Sequence, residues 1–289
     1  MRSLKKLLKF TLVKFTDPQQ RGSFSTADKY EVGDMSKIIS RMKTLYEGRL
    51  FETKDFGYVE VMEYHKASKV LVKFLNTGTK DYFHSSAIRD GAIRDRFAPT
   101  VYGVGIIGDE VVKENGVLKK EYDVWSGMLE RCYSERLKQI FPTYENCYAS
   151  EDFKHFSKFK KWYFYQKGCE EIGWSLDKDL LIKGNKMYSS ETCILLPSEI
   201  NMAIVPQKSK RGKHPIGVHF KDENRKFCAS MGMGKRHKHI GYFENQEDAF
   251  QAYKQAKEAY IKSLAEKWKG FLDERAYDAL NNFVVDIDD

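Results

Sequence analysis

Arg225, Lys226, Lys235, Arg236 and Lys238 crowd into the short stretch 225–238. Guanidinium forks match guanine edges and phosphates, and lysine ammonium groups act as point charges on phosphate. The chemistry open to this cluster is therefore recognition of a polyanion. A solvated basic surface is the plainer reading of any lysine-rich stretch. Against it stands concentration: residues 207–264 hold 13 Lys/Arg and 6 Asp/Glu, a local charge of +7 in a chain whose net charge is +8. Charge gathered in one segment is the footprint of a phosphate-backbone binder. His214, His219, His237 and His239 fall in the same region, but their irregular spacing matches no metal-ligand pattern.

A second group of chemistry-bearing residues lies upstream. Asp177, Lys178 and Asp179 are consecutive, and Asn185 and Asn201 follow. A lysine is protonated at neutral pH unless heavily desolvated, so Lys178 is a poor base. Asp179 is the residue able to bind a metal or act as a weak base. Asp and Asn also dominate turns and caps, which is the other role open to Asp177, Asp179 and Asn185.

The elements around these residues form an ordered series. Residues 176–181 read as a strand, Gly184-Asn185-Lys186 as a turn, 193–196 as a short apolar strand, and Pro197 opens a helix at its first turn. Gly-Asn-Lys, then Ser-x-x-Thr-Cys, an apolar pair, Pro, Glu and Asn resembles the HNH-type homing endonucleases and their bacteriophage relatives. The resemblance implies a ββα unit that hydrolyses DNA with one divalent metal. There, a histidine after an Asp activates water, an Asn orients it, and a second Asn or His on the helix helps hold the metal. Carried onto this chain, the catalytic positions are Asp177, Asp179, Asn185 and Asn201. Asp179 and Asn201 would hold Mg²⁺ or Mn²⁺. The chain departs from the pattern at the base: Lys178 stands where the histidine is expected, and no histidine occurs between His155 and His214.

The basic segment has its own scaffold. Residues 216–220, 227–231 and 239–243 read as three strands, joined by a polar turn over 221–226 and a basic turn over 232–238. A helix follows, capped by Asn245, with Ala249, Ala252, Tyr253, Ala256 and Tyr260 on its apolar face. Gly217-Val218, Phe227 with Ala229, Ile240-Gly241-x-Phe243, Glu247, Ala249, Ala252, Tyr253 and Ala256 resemble the AP2 domain over roughly 50 residues. His239 replaces a usual Trp of that family. The resemblance implies a three-stranded sheet in the major groove of double-stranded DNA. Strand side chains, His219 and Ser230 among them, would reach bases and phosphates alongside Arg225, Lys226, Lys235, Arg236 and Lys238.

The remaining sequence frames these two units. Residues 35–46 carry Ile38, Ile39, Met42 and Leu45 near helical spacing. Alternation over 58–64 and 70–75, with turns at 65–69, 76–78 and 90–91, predicts a small antiparallel β unit, barrel-like because a lone hairpin is unstable. Gly103, Gly105 and Gly108 nominally fit G-x-G-x-x-G. Asp109 and Glu110 follow where a phosphate-binding helix should start, so 99–108 reads as a flexible connector. Trp125, Met128, Leu129 and Cys132 form one apolar helical stripe, and Phe153, Phe156, Phe159 and Tyr163 another. The lysines flanking the second stripe leave base stacking open as an alternative to core. The five cysteines include no C-x-x-C pair, which points to buried thiols and a reducing compartment.

The expected fold class is α+β: a basic extension over 1–45, a small antiparallel β barrel-like unit over 46–108, a helical ββα domain over 109–206, a three-stranded sheet plus helix over 207–264, and a C-terminal helix with an acidic tail over 265–289. The lysine-broken N terminus argues against a signal peptide, and no apolar run is long enough for a membrane span. Localisation is expected to be cytoplasmic, in a bacterial host if phage-encoded. The expected function is double-stranded DNA binding with cleavage lost. The alternatives are an active metal-dependent endonuclease, and a protein-interaction module, with a protein partner or self-association possible.

Overall fold

A computed structural model describes residues 35–205, 213–223, 225–234 and 236–287. The chain divides between Ala98 and Pro99 into two compact units, and its mixed α+β character matches the sequence reading.

The first unit starts with helix α1 (Met35–Tyr46), the span that the apolar spacing predicts. Strands β1 (Leu50–Glu52), β2 (Tyr58–Lys66), β3 (Lys69–Phe74) and β4 (Lys80–Phe83) form an antiparallel meander in sequence order. Alternation sends Val59, Val61, Val70, Val72 and Phe74 into a core where each is fully buried. The expected barrel does not form. The sheet stays open between β1 and β4, because four strands, the outer two of only three and four residues, are too few to close a cylinder. Its core is covered instead by Ile88 of helix α2 (Ser85–Arg89), Ile93, and Met42 and Tyr46 of α1.

The second unit opens with residues 99–108. They are a packed strap, not the flexible connector expected. Val101 bridges Gly105, and Ile106 bridges His155, with Phe156 N donating to Ile106 O at 2.9 Å. A methyl on Gly105 would lie 2.4 Å from Leu129 Cδ1 and 2.9 Å from Trp125 Cη2. The strap needs a glycine there to lie flat on the aromatic core. A hairpin follows, β5 (Lys113–Glu114) and β6 (Val117–Leu118), turning on Asn115 and Gly116, both at positive φ as the Asn-Gly pair predicts.

Helix α3 (Lys120–Tyr133) buries Trp125, Met128, Leu129 and Cys132. After α4 (Glu135–Ile140) and strand β7 (Tyr148–Ala149), the second aromatic stripe is split between α5 (Glu151–Lys154) and α6 (Phe156–Phe164). The break falls at His155, where the strap pairs. Phe153, Phe156, Phe159 and Tyr163 are all buried, so they build the core and offer no stacking surface. Trp125 Nε1 donates to Phe153 O at 2.7 Å and ties the two stripes together.

Strand β8 (Trp174–Asp177) pairs antiparallel with β10 (Ile194–Pro197), and helix α7 (Ser198–Ile204) follows directly. Between them, β9 (Met187–Tyr188) pairs in parallel with β7. The strand expected over 176–181 ends at Asp177, whose side chain turns the chain.

Strands β11 (Val218–Lys221), β12 (Lys226–Met233) and β13 (Arg236–Phe243) form an antiparallel sheet, backed by helix α8 (Gln246–Trp268). Asn245 Oδ1 accepts from Asp248 N at 2.8 Å, the cap expected. Ala249, Phe250 and Tyr253 bury against Val218, Ala229 and Met231. Farther along, Ile261, Leu264 and Ala265 enter the central core with Trp125 and Ile200. One helix thus serves both cores, and position 264/265 lies inside it; the boundary expected at 206/207 falls outside the described residues. Helix α9 (Glu274–Asn281) packs on α8. The stretch after it is held by Val285, whose N–H donates to Glu258 and whose carbonyl accepts from Lys254.

Candidate nucleic-acid interface and the ββα unit

In an antiparallel pair, directly opposed residues share a face. Ala229 and Met231 fix the helix-facing side of β12. The opposite side of the sheet carries Lys221 opposite Lys226, Cys228 between His219 and Tyr242, Ser230 opposite His239, and Gly232 opposite His237. A bulge between Ala229 and Ser230 shifts the register at Ile240, so that His239 and Tyr242, not Ile240, stay on this outer side. The rings of His239 and Tyr242 lie 4.7 Å apart, and Cys228 Sγ is 3.3 Å from His239 Nδ1.

The basic residues are distributed around this face. Lys226 belongs to it and pairs with Glu244 at 2.8 Å. Arg225 sits in the β11–β12 turn at φ +50, exposed. Arg236 and Lys238 lie in strand β13 itself, not in the turn expected over 232–238. Their register partners are Met233 and Met231, so they fall on the helix side of the sheet, exposed near the β12–β13 end. Lys235 lies outside the described residues. The structure therefore brings His219, Lys226 and Ser230 onto one face, sets Arg225 in the turn at its edge, and turns Arg236 and Lys238 to the opposite side.

His237, His239 and Tyr242 complete the face, and the sequence reading did not single them out for it. Their signal was the alternation starting at Arg236, hidden because consecutive Lys, His and Gly residues look like a loop. Burial lowers the His219 pKa, and Lys221, His237, His239 and His214 add to the effect. Burial raises the Cys228 thiol pKa, against the pull of Lys221.

The ββα unit places its four candidate residues in one loop and one helix. Asp177 is 8% exposed, and its Oδ1 accepts from Asp179 N at 3.0 Å and Leu180 N at 2.7 Å. Burial raises the Asp177 pKa, opposed by the N–H of Leu180. Lys178 is 6% exposed; its amine meets both oxygens of Asp179, at 2.7 and 2.8 Å, and the carbonyl of Asn185 at 2.7 Å. Asn185 answers by donating Nδ2 to Lys178 O at 2.8 Å, while its Oδ1 accepts from Met187 N at 3.0 Å. Asp177 and Asn185 thus cap the two ends of one loop, and Lys178 staples its middle. Behind the loop, the buried ring of Tyr188 has Lys178 Nζ 5.8 Å from its centroid and Arg131 Cζ 5.7 Å away.

A divalent ion at Asp179 and Asn201 would need free donors. Both Asp179 oxygens face an ammonium that is itself buried, and a cation there would meet like charge. Asn201 Oδ1 is buried with no hydrogen-bond partner among the described residues, so one acceptor is open. Among the described residues no three His, Cys, Asp or Glu side chains gather as a ligand set. The residues present do not fit the metal that the HNH resemblance implies. Among the described residues no helix is long and apolar enough to cross a membrane.

No protein-family model, curated protein or solved structure matches the chain.

Proposed function

We propose that this chain binds double-stranded DNA as a bacteriophage-type protein of HNH–AP2 organisation, with its ββα unit kept for its fold and its cleavage chemistry lost. One observation carries the DNA reading. The outer face of the β11–β12–β13 sheet holds Lys221, Lys226 and three imidazoles; Glu244, after β13, is tied to Lys226, and Asp222 and Glu223 lie in the β11–β12 turn. A β-ribbon of this kind fits a major groove. Arg225, in the turn at its edge, is the residue we assign to a flanking phosphate. The loss of cleavage rests on Lys178, a cation at the position of the general base, locked onto the carboxylate that would bind the metal.

The test is duplex binding by the full chain across a salt series. Each neutralised phosphate contributes a slope of about −0.9 in log affinity against log salt. Replacing Lys221, Arg225 and Lys226 by alanine should flatten that slope by roughly one for each phosphate no longer neutralised. Binding insensitive to salt, or absent, rejects the DNA reading and favours a protein-interaction module. A supercoiled plasmid with Mg²⁺ or Mn²⁺ tests the second half: it should stay closed. Metal-dependent nicking that Asp179→Ala abolishes would restore the active endonuclease, a reading favoured by the open acceptor on Asn201.

A further inference from the structure

A groove-facing sheet built on arginine and lysine holds its charge at every physiological pH. This one adds three imidazoles to its two lysines. Its outer face places His219 on β11 and His237 and His239 on β13, all exposed, on either side of the central strand β12. We infer that a polyanion bound on this face drives proton uptake by His219, His237 and His239, so that affinity for duplex DNA rises as pH falls. The inference rests on the DNA-binding reading and adds a property that reading does not require.

The surroundings of the three rings set the sign. Among the described residues, the strand positions on this side also carry Lys221, Lys226, Ser230, Cys228 and Tyr242; Glu244 follows the strand paired to Lys226, and Asp222 and Glu223 lie in the β11–β12 turn at the far end from His237. His214 packs its ring on Phe227 at 5.4 Å and sets Nδ1 3.4 Å from Gln246 Oε1. Helix α8 lies on the opposite side, and Asp248 of its first turn is engaged by Asn245. The charged groups that His219 feels are Lys221 and the other histidines, all of which disfavour its cationic form. In the free protein His219 therefore resists charging, through its burial first and these neighbours second. Phosphates brought within a few ångströms reverse that balance and favour each imidazolium. A group whose pKa is higher in the complex than in the free protein binds a proton on association. By linkage, affinity then increases as pH drops through the imidazole range.

The experiment is fluorescence anisotropy of the full chain with a labelled duplex at constant ionic strength, between about pH 5.5 and 7.5, the range in which imidazoles titrate. The expected result is an affinity several-fold higher at the acid end, one unit of pKa displacement on a single ring being worth at most about tenfold. His219→Gln/His237→Gln/His239→Gln should lose this dependence and keep its far-ultraviolet spectrum. Titration calorimetry in buffers of different ionisation enthalpy should show net proton uptake by the parent chain and none by the triple variant. Binding that is independent of pH, or a dependence that survives in the triple variant, overturns the inference and leaves DNA binding standing. No duplex binding at any pH overturns both.

Discussion

The amine of Lys178 lies 2.7 Å from Asp179 Oδ1 and 2.8 Å from Oδ2, one residue along the chain. The pair is lopsided: the Lys178 side chain is 7% exposed and that of Asp179 is 51% exposed. Water therefore screens one partner while the other depends on its contacts, so the ion pair by itself adds little. The interaction that matters more is the bond from the same amine to Asn185 O, which closes the loop between β8 and β9.

Lys178→Met is accordingly expected to lower stability by about 1–3 kcal/mol, the usual cost of leaving a buried acceptor without its donor. Denaturant unfolding measures it. A change under half of that would mean the loop is held by Asp177 and Asn185 alone. Asp179→Asn, which keeps the acceptor geometry and removes an exposed charge, should cost far less.

Asp177 gives a prediction with a sign in pH. Burial raises its pKa above the ordinary 3.8, with the N–H of Leu180 opposing. An acid with a higher pKa in the folded state binds more protons there than in the unfolded chain. Its contribution is therefore most favourable at low pH and declines as pH rises past the ordinary carboxylate value. Asp177→Asn retains Oδ1 as an acceptor for Asp179 N and Leu180 N and removes that decline. It should equal or exceed the parent in stability at neutral pH. Asp177→Ala loses both hydrogen bonds and should fall by about 1–3 kcal/mol. Thermal melts of the two variants across pH separate these outcomes; equal losses in both would refute the argument.

How far the sequence reached depended on how local each signal was. The Met35–Tyr46 helix, the β2–β3 hairpin, the Asn115-Gly116 turn and the Asn245 cap were all legible, because each is written in a few adjacent residues. The packing of Gly105 against Leu129 was not, because nothing near Gly105 in sequence announces Trp125 and Leu129. The candidate interface fell between the two. Its sheet and helix were legible, but its outer face was not. One bulge at Ala229/Ser230 and a strand disguised as a basic turn exchanged the lysine and arginine of β13 for its histidines.

The cysteines supply a check on burial. Burial pushes the thiols of Cys132 and Cys193 up to about 12, and raises those of Cys147 and Cys228. The thiolate is the reactive form, so these four should resist a thiol reagent in the native chain. Cys169, the one not fully buried, should label first. Mass spectrometry after brief labelling at neutral pH reads the order directly. Early labelling of Cys193 would mean that β10 opens far more readily than its burial allows.

Gly217 is the residue on which the spacing of sheet and helix turns. It precedes β11 at φ +76, a conformation that side chains rarely adopt, and its carbonyl accepts from Ser230 N at 2.9 Å. A methyl there would stand 2.0 Å from Cδ2 and 2.3 Å from Cε2 of Tyr253. The ring has little room to yield, being buried among the side chains that join α8 to the sheet. Gly217→Ala thus meets backbone strain and overpacking together, and about 2–4 kcal/mol of destabilisation is expected. Truncating the ring in the same chain separates the two causes. Gly217→Ala/Tyr253→Ala should show coupling, the second substitution costing less in the presence of the first, because the steric conflict is removed while the φ strain stays. Additive losses in urea melts would show that the ring and Gly217 are not in contact. If the sheet binds duplex DNA as proposed, affinity should fall with Gly217→Ala although it touches no basic residue, since relieving the clash must shift β11, which carries His219, or the ring of Tyr253 behind it.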